Sequence, residues 1–186
     1  MSDRYQDKYR ISSARLRNWD YGSNSDYFIT ICTGGHDPYF GAIENKKIVL
    51  SEIGLLAQCE CEKSFGLRPG LYCDTYVIMP NHIHTIVRID NDDSSQLDDF
   101  LETHSCASLQ ENKLKFGVAW RSPKSISSFV ACFKSIVTIN ARKINSGFGW
   151  QARFHDHIIR NDQEYQRIAN YIENNPANWG MDKYYK

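Results

Sequence analysis

No apolar run in the 186-residue chain approaches the length of a membrane span, which excludes a helical membrane protein and leaves no membrane partner to expect. The N-terminal stretch MSDRYQDKYR is polar and charged, without the apolar core of a signal peptide. The six cysteines form no CxxC and no zinc-ribbon spacing, and Cys59 and Cys61 are the one close pair. Buried free thiols in a reducing cytoplasm are therefore expected. No GxxxxGK[ST] loop is present, so there is no P-loop for ATP-driven chemistry. There is no internal repeat and no sign of a second domain.

Net charge is also lacking: 22 Lys and Arg balance 22 Asp and Glu. The distribution is uneven. Seven acids (Asp90, Asp92, Asp93, Asp98, Asp99, Glu102 and Glu111) fall in one segment with no Lys or Arg. The rest of the chain carries 22 basic against 15 acidic residues. One acidic segment hides a basic body, which permits an anionic partner.

What is present reads as a single globular domain. Residues 1–26 form a polar, basic arm with Arg4, Lys8, Arg10, Arg15 and Arg17. Tyr27–Thr33 (YFITICT) has the β-branched and aromatic content of a strand, ended by Gly34-Gly35. YFGAI and KKIVL suggest a small hairpin about Glu44-Asn45. Leu50 to about Phe65 reads as a helix stopped by Arg68-Pro69-Gly70. Thr75–Met79 and His82–Ile89 are predicted strands about the Pro80-Asn81 turn. Residues 90–122 are acidic, Ser-rich and weakly periodic, as in a long loop insertion. Ser122 is the predicted cap of a helix starting at Pro123, with Ile126, Phe129, Val130, Phe133 and Val137 as its buried stripe. Trp150–Arg160 is a predicted strand. Asn161 and Glu164 form a capping box for a last helix ending at Pro176. The domain spans 27–179, with 180–186 as a C-terminal tail.

The order β-α-β-β-α-β-α, with an early inserted hairpin, predicts an α+β fold of the ferredoxin-like, split βαβ kind. Its antiparallel sheet is expected to carry helices on one face and leave the other free. In PNHIHTIV (Pro80–Val87), His82 and His84 share one face of a strand. Ile83, Thr85, Val87 and Ile89 take the other, which suits a core. Two imidazoles at that spacing could hold one divalent ion, or could be two ordinary surface histidines. The last helix has an apolar stripe at Tyr165, Ile168, Ala169 and Ile172. Tyr171 lies off that stripe by about a third of a turn, from the 100° helical step, and Asn175 follows one turn along the same flank.

At these residues the sequence resembles the REP-associated tyrosine transposases of the single-tyrosine HUH (His-hydrophobic-His) superfamily. The likeness rests on PNHIH, on Phe133-Lys134-Ser135 within a helix, on WQxRF and HxIRN between Trp150 and Asn161, and on YIxxNP from Tyr171 to Pro176. It runs from about Tyr27 to Trp179. The resemblance implies His82 and His84 as metal ligands, Tyr171 as the nucleophile and Asn175 as the third ligand. Insertion-sequence relatives often carry Gln at that last place. His155 and His157 form a second pair, but the intervening Asp156 does not fit the HUH pattern; His157 matches a family histidine of unassigned role.

The implied activity is metal-dependent nicking and rejoining of single-stranded, hairpin-forming DNA through a 5′-phosphotyrosine, with Mg²⁺ or Mn²⁺ as cofactor. Lys134, Arg153 and Arg160, with Arg10, Arg15 and Arg17 of the arm, are candidate phosphate contacts. A cytoplasmic, nucleoid-associated location and possible pairing with a second copy are expected. Two rivals stay open: a non-catalytic nucleic-acid-binding module of the same fold, although the aromatic RNP patterns are missing, and a zinc protein using both histidine pairs.

Overall fold

The computed structural model describes residues 19–91 and 125–185. The arm residues Arg10, Arg15 and Arg17, and nearly all of the acidic segment, lie outside them. β1 (Ser25–Cys32) is followed by a short 3₁₀ turn, the hairpin β2 (Gly41–Glu44) and β3 (Lys47–Leu50), and α1 (Glu52–Gly66). Then come β4 (Leu71–Met79), β5 (His82–Ile89), α2 (Ile126–Ile144), β6 (His155–Ile159) and α3 (Asp162–Asn174), with a second 3₁₀ turn at Pro176–Met181.

β4, β5, β1 and β6 form one sheet in that order, and every pairing is antiparallel. This is the ferredoxin-like arrangement expected from the element order. β2 and β3 pair separately, as the small hairpin. Tyr27, Ile29 and Ile31 of β1 and Ile83, Val87 and Ile89 of β5 face the main core, where Ile53 and Ala57 of α1 and Phe129, Phe133 and Val137 of α2 pack on them. Alternation along the strands selects this set, because residues i and i+2 share a face. Gly54 of α1 sits so close to the Phe40 carbonyl that a Cβ there would approach it to 2.1 Å; a side chain would push α1 off the hairpin.

The opposite face is not open. α3 lies on it, and Ile168 and Ile172 join Ile86 of β5 and Ile159 of β6 in a second, smaller cluster, bordered by Phe28 and Val77. An amphipathic helix must bury its apolar stripe somewhere, and this half of the sheet face is apolar enough to take it.

Several boundaries differ from the sequence reading. β4 starts at Leu71 rather than Thr75, because a register shift between Cys73 and Thr75 lets the ladder with β5 continue through a bulge. β6 is only His155–Ile159, since Trp150 makes an isolated bridge to Thr33 and residues 151–154 do not extend it into a ladder. The cap of α2 is Ser125, whose hydroxyl accepts from the Ser128 amide, and not Ser122, which lies outside the described residues. Cys32, Cys59, Cys61 and Cys73 are free, but Cys59 is exposed rather than buried. Cys132 is disulfide-bonded, a pairing that no spacing signalled.

Candidate active site

β5 places His82 and His84 side by side on the α3 side of the sheet, with ring centroids 4.4 Å apart. They are 0% and 1% exposed, so they lie under a cover and not on an open surface. The cover is the chain after α3. Trp179 stands 5.9 Å from the His82 ring, and Tyr184 packs 4.6 Å from His82 and 6.0 Å from His84.

Each histidine is fixed through Nδ1. His82 Nδ1 lies 2.8 Å from Asn81 Oδ1, and His84 Nδ1 lies 2.8 Å from Thr30 Oγ1 on β1. Asn81 Oδ1 can only accept, so His82 carries its proton on Nδ1 and turns its Nε2 lone pair into the site, as a metal-ligating imidazole requires. Thr30 Oγ1 can donate or accept, so His84 can take the same tautomer when its Nε2 is to bind a metal. Burial lowers the His82 pKa to about 4 and that of His84 well below the usual imidazole value, so both rings are neutral at pH 7.

α3 brings Tyr171 and Asn175 to the same place. Asn161 Oδ1 caps the helix by accepting from the Glu164 amide, as expected. Glu164 does not close the box on Asn161; its carboxylate instead accepts from the Arg160 amide and meets His157 Nε2 at 2.9 Å. Tyr171 is 41% exposed, yet its hydroxyl lies 3.1 Å from His84 Nε2 and donates to Asp182 Oδ2 at 2.9 Å. Burial, then the bond to the Asp182 carboxylate, raises its pKa above the ordinary phenol value. Asn175 keeps helical backbone angles despite the following proline. Its Nδ2 donates to Asp182 Oδ2 at 2.8 Å, and its buried Oδ1 has no protein partner.

Asp182 was not singled out by the sequence. It follows the second 3₁₀ turn, in the stretch read as a tail, and no periodicity or motif marks it. Its carboxylate, with a nitrogen of His82 and one of His84, offers three possible ligand atoms, all within 4.8 Å of one another. Burial works to raise its pKa, but hydrogen bonds from Asn175, the Tyr184 amide and Tyr171 outweigh that and keep the acid below its usual value. A buried His82 Nε2 and a buried Asn175 Oδ1 also lack partners. Such orphaned acceptors are costly unless something binds them, and this donor set of imidazole nitrogens and oxygens fits Mg²⁺ or Mn²⁺.

The other candidates are dispersed. Lys134 Nζ donates to the Gln151 and Arg153 carbonyls, both at 2.8 Å, and stands over the Trp150 ring. Burial lowers its pKa to about 8. It pins the loop before β6 and has no ammonium hydrogen-bonding capacity to spare beyond one proton, so it serves the scaffold before it serves any phosphate. Arg153 and Arg160 are exposed at either end of β6. His155 and His157 share the face of His84 through Thr30 and Phe28 of the intervening β1, but both are exposed, and His157 pairs with Glu164. The four histidines therefore do not converge on one zinc.

No protein-family model matches the chain. An uncharacterized protein of Haemophilus influenzae is 33% identical over 174 residues, covering 93% of this chain and 92% of that protein. Among solved structures, a REP-associated tyrosine transposase bound to a REP hairpin superposes with a TM-score of 0.57 at 20% identity, over 92% of this chain and 77% of that one. The chain therefore belongs to one family with that Haemophilus influenzae protein and has a REP-associated tyrosine transposase-like fold.

Proposed function

We propose that the protein is a metal-dependent single-strand DNA endonuclease and strand transferase, working on hairpin-forming DNA through a covalent bond to Tyr171. The observation that carries this reading is the meeting of the Tyr171 hydroxyl, 3.1 Å from His84 Nε2, with two inward-facing imidazoles. The solved structure with the same fold holds a REP hairpin, which supports DNA of that class as the partner.

His82 Nε2, His84 Nε2 and Asn175 Oδ1 would hold Mg²⁺ or Mn²⁺. When bound, the ion supplies Lewis-acid polarisation of the scissile phosphate and neutralises charge that grows in the transition state. The protein's own groups do the rest. α3 fixes the phenol, and the exposed flank of Tyr171 leaves a path for a single strand. Its proton already points at Asp182 Oδ2, which helps a group that is otherwise a poor nucleophile at neutral pH. The phenolic oxygen bonds to phosphorus, the P–O3′ bond breaks, and the 3′ oxygen leaves as a free hydroxyl. Attack by a second 3′-hydroxyl reverses the step and releases the tyrosine, so no ATP is consumed.

The test is incubation with Mn²⁺ and hairpin oligonucleotides, followed by a search for a protein–DNA adduct. Wild type should form one on Tyr171. Tyr171→Phe should bind the hairpin and form none, while Tyr165→Phe, whose hydroxyl reaches Asp74 on β4 instead, should stay active. An adduct in Tyr171→Phe, or on another residue, would falsify the mechanism. Tight hairpin binding with no adduct in wild type would favour a non-catalytic binding module.

A further inference from the structure

We infer that Asp182 is an acidic ligand of the same metal site, delivered by the segment that follows the second 3₁₀ turn. This rests on the metal reading above and adds to it. Two neutral imidazoles and an amide carry no charge, whereas small hard cations are held mainly through anionic oxygen. Asp182 is the one carboxylate that meets both histidines within ligand distance of each other among the described residues. The neighbouring His82 Nε2 and Asn175 Oδ1 are both buried and unpartnered, which points to a guest between these groups.

The position of the carboxylate is built rather than incidental. Oδ2 accepts from Tyr171 and Asn175, and Oδ1 accepts from the Tyr184 amide at 2.7 Å. The Tyr184 carbonyl in turn accepts from Asn81 Nδ2 at 2.8 Å, and the same Asn81 side chain fixes His82 through Oδ1. One buried amide thus holds both a histidine ligand and the segment that carries the acid. Such outer supports orient ligands and are part of a metal site's design. Asp182 also joins the nucleophile to the site, since Tyr171 and the carboxylate share a hydrogen bond.

The experiment uses the full chain without DNA. Mn²⁺ is titrated in, and free Mn²⁺ is followed by electron paramagnetic resonance. Asp182→Asn keeps the shape and removes the charge. It should weaken Mn²⁺ binding by at least the roughly tenfold that loss of an outer support alone can cost, with the circular dichroism spectrum unchanged. Asp182→Cys offers a soft thiolate in place of oxygen. In a Cys59→Ser background, which removes the exposed free thiol, it should show with Cd²⁺ an ultraviolet thiolate charge-transfer band that the Cys59→Ser parent lacks, and this holds even if Asp182→Asn is unstable. If Asp182→Asn binds Mn²⁺ like wild type while His82→Ala does not, Asp182 is no ligand and the histidine site stands. If wild type binds no Mn²⁺, the metal reading falls and takes this inference with it.

Discussion

Burial decides what substitutions at single residues will report. His82 and His84 are enclosed, so their removal is not a clean surface change. His82→Ala leaves a cavity beside Trp179 and Tyr184 and deprives Asn81 Oδ1 of its partner. We expect a loss of about 1–3 kcal/mol, the usual cost of an unsatisfied buried group, read from urea unfolding; an unchanged midpoint would contradict the enclosed geometry. Protonation gives a second test. The unfolded chain takes up the His82 proton near pH 6.5, and the folded chain near pH 4, because burial opposes the charge. Asp182 works the other way, while His36 and Lys183 reinforce burial. Between those values the unfolded state binds more protons, so stability falls as pH falls, by roughly 3 kcal/mol from His82 alone. Denaturant curves at pH 7 and pH 4.5 should separate accordingly, and coincident curves would mean that the histidine titrates normally.

At the scale of elements, α3 is the working part. It carries Tyr171 and Asn175 but is anchored by the small cluster around Ile168 and Ile172. Ile172→Ala should cost about 2–5 kcal/mol, as for other buried large-to-small changes, and should slow adduct formation, because Ile172 fixes the turn beside the nucleophile. Asn161→Ala removes only the cap, for about 1 kcal/mol, and should leave the adduct rate nearly unchanged. Equal effects on rate would show that the packing of α3 does not position Tyr171. The Asn161 cap, the apolar stripe and the flank position of Tyr171 were all legible in the sequence, since they depend on local helical spacing alone. The return half of the capping box is not formed, because Glu164 turns to the Arg160 amide and His157. The helix's destination was not, because a stripe says that a face is buried and not what buries it.

At the scale of the molecule, charge is the testable property. The net charge is zero, yet the body outside the acidic segment carries 22 basic and 15 acidic residues. Hairpin affinity should therefore fall steeply with salt, each neutralised phosphate contributing a log–log slope of about −0.7 on single strands. A flat dependence would argue against direct phosphate contact. Removal of residues 1–18, which include Arg10, Arg15 and Arg17 and leave β1 intact, should make the slope shallower if those residues reach DNA.

The sequence by itself determined the existence and order of the main elements and the shared face of His82 and His84, though not the bounds of β4 and β6, because period-two and period-3.6 patterns are local consequences of backbone geometry. It also placed Asn175 one turn after Tyr171. Only the tertiary structure decided that α3 crosses the histidine face, that Lys134 is spent on backbone carbonyls, and that Asp182 and Tyr184 close over the site. The cover joins residues about a hundred positions apart, such as Asn81 and Tyr184, and even the Lys134 contact to the Gln151 carbonyl spans 17 positions. No local pattern encodes such a pairing; it exists because folding brings a short, unpatterned segment to buried polar groups that need partners.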